Sequence, residues 1–417
     1  MNRKQFLVII VLGLVIGGLG IYFAKQQKGS YTSSSFREDQ KVIPDFPLND
    51  VAHIRVLQGT NEVNLVRGDV WTVKERWNYP ANFTEISDFL RNMWELEPVQ
   101  DVEAGPSQYG RLNLLSPAEN KGTNSATLVE FEDEKGGNLK SILLGKEYMQ
   151  ESRGGMGGGF PVGRYVLVPE SKQVWLVNET FSNIGTDPAQ WLNKDFFKVE
   201  KIKSVSVTSP NPTNTWSLSR ESENGEWKMA ALKEGENFDA SKASSLNYAL
   251  SSPTFNDVVS PEAKPEETGL NEPTVAKLET FDGFAYTVTL GKTNEDNIHL
   301  KVAVAANFAT ERTPGADEKP EDKEKLDKEF KEKIEKLQEK LKKEEAFEKW
   351  TYLLSKWTVD ALLKPRSDFL AEKREEEKPA ENGNATEPSA GLDPLSPGAS
   401  PIPALPPSVP PSTRPRP

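Results

Sequence analysis

The sequence predicts an α+β protein on a membrane anchor. It begins with an N-terminal transmembrane helix, continues through two duplicated β-rich α+β modules with a charged helical insertion in the second, and ends in a disordered Pro-rich tail. Three observations carry this. Residues 6–24 are an uninterrupted apolar run, an ordered set of short motifs recurs about 156 residues later, and residues 378–417 hold 12 of the 30 prolines with no Trp, Tyr or Phe.

The anchor reads FLVIIVLGLVIGGLGIYFA, with Arg3 and Lys4 before it and Lys25 and Lys28 after it. As a helix it reaches ~28 Å, close to the hydrocarbon thickness of a bilayer. A cleaved signal peptide is the rival reading, but Tyr22 before Ala24 does not fit the small-residue cleavage pattern. Arg3, Lys4 and the amino terminus favour a cytoplasmic start. The expected order is a cytoplasmic stub at 1–5, a single span at 6–24 and a linker at 25–45, with the bulk of the chain outside the membrane.

The next stretch reads as one module written twice, over 46–198 and 199–371. Glu62–Glu75 forms a strand, a Gly turn and a strand bearing Trp71; Thr215–Ala231 repeats it with Trp227. Each alternates apolar and polar positions, as half-buried strands do. Asn82-Phe83 and Asn237-Phe238 then lead into short helices with apolar faces at Ile86, Phe89, Leu90 and Met93, and at Ala243, Leu246 and Leu250. Asp101-Val102 matches Asp257-Val258, and Tyr109-Gly110 matches Thr268-Gly269, followed by Pro117 and Pro273. Second hairpins end in Leu144-Gly145-Lys146 and Leu290-Gly291-Lys292; Asp282-Gly283 is a strong turn signal. Val174–Val177 pairs with Thr351–Leu354, and Asp195-Phe196-Phe197 with Asp368-Phe369-Leu370. Residues common to both copies point to the fold, so Trp71 and Trp227 are expected to cover a core.

Each copy carries its own insertion. RGGMGGGF at 153–160 lacks the Gly-Lys-Ser/Thr context of a phosphate loop and reads as a flexible hairpin loop. Residues 311–349 are dominated by Lys and Glu, with Leu326, Phe330, Ile334, Leu337 and Leu341 forming a narrow stripe. Continuous from Asp317 to Lys349, this helix spans about 50 Å. A partner helix, a second copy, or its own module could cover the stripe. The tail at 372–417 cannot bury enough apolar surface to offset its ordering entropy. Its Pro403–Pro406 and Pro407–Pro410 spacings match PxxP, and a spacer is the expected role.

Composition narrows the chemistry. The 417 residues carry 51 Lys and Arg against 63 Asp and Glu, a formal charge of −12, with no cysteine and two histidines. Thiol nucleophiles, disulfides, Cys-based metal centres and three-His sites are excluded. The acidic balance opposes nucleic-acid binding. His53 and His299 open predicted strands with no nucleophile elbow nearby. Glu130, Glu132, Asp133 and Glu134 read as a solvated strand face and turn, and no acid pair stands out. No catalytic, cofactor-binding or metal residue is assigned, and no enzyme activity is expected.

The ordered motifs resemble a bacterial family catalogued as domain of unknown function 4340. They are Gly225-Glu226-Trp227, Gly269-Leu270-Asn271-Glu272-Pro273, the two Leu-Gly-Lys stretches at 144–146 and 290–292, and Arg164-Tyr165-Val166. The likeness is clearest over about 50–371 and leaves out the charged insertion and the tail. Arg111 interrupts the Tyr109-Gly110-Arg111-Leu112 stretch. The resemblance implies an accessory or binding subunit of a gliding-motility-type ABC-transporter complex in the bacterial cytoplasmic membrane, with membrane and ATPase subunits as partners and a possible helix-mediated contact at 311–349. A structural envelope spacer and a carboxylate-dependent hydrolase of an envelope polymer are the alternatives.

Overall fold

The computed structural model describes residues 40–120, 122–150, 159–293, 295–314 and 318–371. The anchor at 6–24, most of the Gly-rich loop at 153–160 and the tail at 372–417 lie outside them. Among the described residues no helix is long and apolar enough to cross a membrane.

The first half builds a nine-stranded antiparallel sheet from β1 (His53–Gln58), β2 (Asn61–Arg67), β3 (Trp71–Val73), β4 (Tyr79–Pro80), β5 (Pro98–Val102), β6 (Thr127–Glu132), β7 (Asn138–Gln150), β8 (Phe160–Val168) and β9 (Gln173–Val177). Its spatial order is 4-3-2-1-6-7-8-9-5. The second half supplies β10 (Ile202–Thr208), β11 (Trp216–Ser219), β12 (Lys228–Met229), β13 (Asp257–Val259), β14 (Thr274–Thr280), β15 (Phe284–Leu290), β16 (Asn297–Ala306) and β17 (Thr351–Ser355). These pair in the order 12-11-10-14-15-16-17-13. Apart from β4, the two orders are the same path. The register agrees as well: Leu144 pairs with Val166 and Val166 with Trp175, as Leu290 pairs with Leu300 and Leu300 with Tyr352.

Between the third and fifth strands of the first copy lies α1 (Phe83–Glu95). Asn82 caps it, accepting from the backbone N–H groups of Thr84 and Glu85. Ile86, Phe89, Leu90 and Met93 are buried, as their spacing predicts; each contributes about 1.5–3 kcal/mol on the usual transfer scale. The second copy forms a 3₁₀ helix, Ala240–Tyr248, capped by Asp239 rather than preceded by an Asn-Phe cap. Its sequence, ASKASSLNY, is rich in serines that compete for backbone hydrogen bonds, so a full α-helix is not sustained. Ala243 and Leu246 are buried on it, and Leu250 just after it.

The register corrects several motif pairings. Asn82 N–H donates to Trp191 O and Asp239 N–H to Phe369 O, so Trp191-Leu192 corresponds to Phe369-Leu370; Asp195-Phe196-Phe197 does not. Asp101 lies opposite Trp175 and Val258 opposite Tyr352, a one-residue shift from the Asp-Val match. The left-handed cap of the first copy is Asn113 and that of the second Gly269, which closes α2 (Pro265–Thr268). Leu112-Asn113, not Tyr109-Gly110, therefore corresponds to Thr268-Gly269.

This explains the Leu-Gly-Lys stretches. β7 does not end there but runs on to Gln150. A Cβ on Gly145 would lie 2.5 Å from Leu112 O, and one on Gly291 would lie 2.1 Å from Thr268 O. Each glycine lets the preceding capped turn cross the strand in backbone contact.

One hydrophobic core runs through both sheets, and the described residues fall in one compact unit ending at Ala371. Trp71 and Trp227 are buried in it. At the junction Tyr79 packs edge-on against Phe255, Trp350 and Tyr352. Arg76 donates two bonds, 2.6 and 2.8 Å, to Asp257.

The charged insertion joins β16 to β17. Its helix α3 (Lys323–Glu345) is 23 residues long, or ~34 Å, shorter than the pattern suggests. Leu337 and Leu341 pack against the core. Glu344 is buried, accepting from Lys198 N–H and from the Tyr286 hydroxyl. The C-terminal half is thus covered by its own module and by the segment joining the sheets. Leu326, Phe330 and Ile334 remain half-buried.

Candidate functional site

A duplicated fold supplies its own control, because a side-chain group present in one copy only is not required by the topology. Two groups meet that test.

The first lies on the outer face of the first sheet, on the rungs Asn64–Arg55–Glu130 and His53–Glu132. Arg55 donates to Glu62 at 2.8 Å and to Glu130 at 2.7 Å. The Asn64 amide donates to Glu62 and Glu75, both at 2.7 Å. Its oxygen is thereby turned to His53 Nε2 at 2.8 Å, while Glu132 lies 2.7 Å from His53 Nδ1. His53 thus bridges β2 and β6, with one ring nitrogen against Asn64 and the other against Glu132. The second sheet carries Ser217–Ser206–Lys277 and Ser204–Glu279 on the same rungs.

This cluster is internally spent. The Arg55 hydrogen bond holds the Glu62 carboxyl down to about 2, the opposite of what a general acid needs. A depression of about 690 Å³ opens beside His53, Arg67 and Glu132, but Arg67 donates to Asn49 O and His53 is paired to Glu132. The arrangement pins β1, β2 and β6 together.

The second group is an aromatic cleft. Tyr248 ends the 3₁₀ helix Ala240–Tyr248, and Trp357 sits on the turn Lys356–Val359 after β17. They are 77% and 69% exposed, the two most exposed large hydrophobic side chains among the described residues. Between them lies a cleft of about 370 Å³, with Ser245, Pro253, Thr358 and Lys364 in its lining. Thr358 Oγ1 is buried and has no hydrogen-bond partner. Lys364 Nζ donates to Ser245 Oγ at 3.1 Å, and Lys364 O receives the Trp216 indole N–H at 2.8 Å, which fixes the rim. In the first copy the corresponding positions carry Arg91 on α1 and Glu179-Thr180 after β9. The aromatic pair is therefore particular to the second copy.

Residues 71–273 match the family described as Domain of unknown function (DUF4340). These residues belong to the DUF4340 family. No curated protein and no solved structure matches the chain. The DUF4340 segment opens at Trp71 and closes at Pro273, so it contains Gly145, Trp227, Tyr248 and Gly269; Gly291, the counterpart of Gly145, and Trp357 come from beyond it.

Gly145 and Gly269, within the DUF4340 segment, sit in close backbone contacts of the scaffold, while the Arg55–His53 cluster and the Tyr248–Trp357 pair differ between the copies. His299, on β16, lies in a depression of about 650 Å³ beside Gly269 and Gly291, and burial pushes its imidazole below the usual range. Glu130 and Glu132 stand on a strand face as expected, but paired rather than solvated. Asp133 accepts from Lys135 and Gly137 N–H and shapes the β6–β7 turn. Among the described residues no group of three or more His, Asp or Glu is arranged to hold a metal ion. Sequence reading missed Tyr248 and Trp357. Their signal was available: both break the correspondence between copies with an aromatic residue.

Proposed function

We propose that this protein is a membrane-anchored, non-enzymatic binding subunit of an envelope complex of the ABC-transporter type, and that the Tyr248–Trp357 cleft is where it receives its partner. The observation that carries this is the pair of exposed aromatics flanking a cleft in one copy only. Large rigid side chains in a rimmed pocket are what binding hot spots consist of, and exposing them to water is unfavourable unless something covers them. The paired charges of the first sheet support binding over catalysis, since its Arg and carboxylates satisfy one another. The apolar run at 6–24, flanked by Arg3 and Lys4, supports a single span in the cytoplasmic membrane with the modules outside it.

The test is crosslinking in cells, followed by mild-detergent purification of the tagged full-length chain and mass spectrometry. The expected result is recovery of transporter membrane and ATPase subunits from wild type, and their loss from the Tyr248→Ala/Trp357→Ala double variant. Equal recovery from both, or recovery of the protein alone, overturns the proposal. Both side chains are exposed, so the double variant retains the wild-type melting temperature.

A further inference from the structure

We infer that the projecting end of the first sheet, the β7–β8 arm together with Trp94 and Val99, is a lipid contact. Its apolar side chains enter the interface of the membrane that holds the amino-terminal span. The inference rests on the single span proposed above and says which end of the fold faces that membrane.

The two copies differ here in the backbone. Leu144–Val166 and Leu290–Leu300 are equivalent pairs, yet β15 stops at Leu290, whereas β7 runs on to Gln150 and pairs with a strand that begins at Phe160. Glu147, Arg164, Val177 and Pro98 form one rung across β7, β8, β9 and β5. The arm past Glu147 therefore stands beyond the sheet, at the end where β5 begins. Five of the eleven exposed large hydrophobic side chains among the described residues gather at that end: Tyr148, Met149 and Phe160 on the arm, Trp94 in the last turn of α1, and Val99 on β5. Successive strand residues face opposite ways, so Tyr148 and Met149 leave apolar surface on both sides of the arm. A fluid apolar layer covers both, and a partner docked on one face covers one.

The path of the chain supplies the occupant. Val42 N–H donates to Leu96 O, just ahead of Pro98, so the described chain enters at this same end. Residues 25–39, between the apolar run and the described fold, reach at most ~50 Å when fully extended. That tether holds this end, rather than the opposite one, toward the bilayer. Trp and Tyr are the side chains favoured at the boundary between bilayer and water, and Lys41 Nζ lies 3.9 Å from the centre of the Trp94 ring. Glu95 and Glu97 are exposed beside them, so the attraction is apolar burial rather than headgroup charge.

The chain has no cysteine, so single-cysteine variants can be labelled at one site each. Full-length Phe160→Cys, Lys135→Cys and Val15→Cys, each carrying a nitrobenzoxadiazole dye, are reconstituted into phosphatidylcholine vesicles with and without doxyl-labelled lipid. The Phe160→Cys dye is expected to shift its emission to the blue and to lose most of it to doxyl lipid. The Lys135→Cys dye, at the other end of β7 and ~40 Å away, should stay aqueous and unquenched. A Phe160→Cys dye open to aqueous iodide, or quenched no more than the Lys135→Cys dye, overturns the inference. Shielding from iodide without doxyl quenching means that protein covers the arm, and overturns it too. Val15→Cys separates the two readings: if it is quenched and Phe160→Cys is not, the lipid contact falls and the span stands. If Val15→Cys is not quenched, the span falls and the lipid contact with it.

Discussion

The Tyr286 hydroxyl donates to the Glu344 carboxylate at 2.7 Å, fastening the charged helix to the centre of the second sheet. Burial pushes Glu344 above the usual carboxylate range, and the ionised form is stabilised in return by Tyr286, Lys198 N–H and Lys340. A carboxyl whose folded value is raised contributes most stability when protonated, so stability falls as pH rises from the unfolded value through the folded one. Glu344→Gln should remove that pH dependence and leave stability equal or higher at neutral pH. Glu344→Ala should cost about 1–3 kcal/mol by orphaning Lys198 N–H. Urea titrations across the acidic range would distinguish the two.

The same attachment changes what a deletion would do. Leu337, Leu341 and Phe347 pack on the core, and Val304 N–H donates to Glu348. Removal of 311–349 is therefore expected to lower the melting temperature, whereas Phe330→Ser on the half-buried N-terminal half should leave it unchanged. Differential scanning calorimetry checks both.

Gly145 and Gly291 should be intolerant of any side chain. A Cβ at either would press into a carbonyl oxygen at 2.5 or 2.1 Å, and backbone rather than a flexible side chain would have to yield. Alanine at either position is expected to cost about 2–4 kcal/mol, read as a shift in the urea midpoint. Gly105→Ala, with open space around it, is the neutral control.

Arg76 and Asp257 tie the two sheets, 181 residues apart in sequence. Their side chains are 21% and 25% exposed, so losing one partner leaves a poorly solvated charge. Arg76→Ala should destabilise by about 1–3 kcal/mol, and Arg76→Lys should not restore it, because a lysine cannot reproduce the two-bonded geometry. A double-mutant cycle with Asp257→Asn would measure the coupling.

Acid should loosen the first sheet before the second. Glu62, held down to about 2 chiefly by Arg55, contributes stability above its unfolded value that is lost as pH falls through the folded one. The second sheet carries Ser206 and Lys277 where Arg55 and Glu130 stand. Amide exchange between about pH 4.5 and 2 should rise in β1, β2 and β6 before β10, β11 and β14.

Most of the architecture is legible along the chain because strand alternation, helix spacing and turn glycines are local effects. Ile86, Phe89, Leu90 and Met93 declare a buried face at i, i+3, i+4 and i+7, and the recurrence of Trp71 as Trp227 declares a second copy. Register is not local. Whether Phe369 corresponds to Trp191 or Phe196 depends on which backbone carbonyl receives the N–H of Asn82 or Asp239, and both candidates are aromatic residues near a strand end. The fate of the charged stripe was equally hidden, since Leu337 and Leu341 look the same whether a partner or Tyr286's own sheet covers them.

By itself the sequence determined the mixed class, the duplication, the succession of hairpins and short helices along the chain and the absence of thiol chemistry, all properties of composition and short periodicity. Only the tertiary structure decided that Arg55 and His53 are occupied by their neighbours' carboxylates, and that Tyr248 and Trp357, more than a hundred residues apart, flank one cleft. Those outcomes depend on which strands pair, and pairing is settled by burying one continuous core rather than by any residue's immediate neighbours.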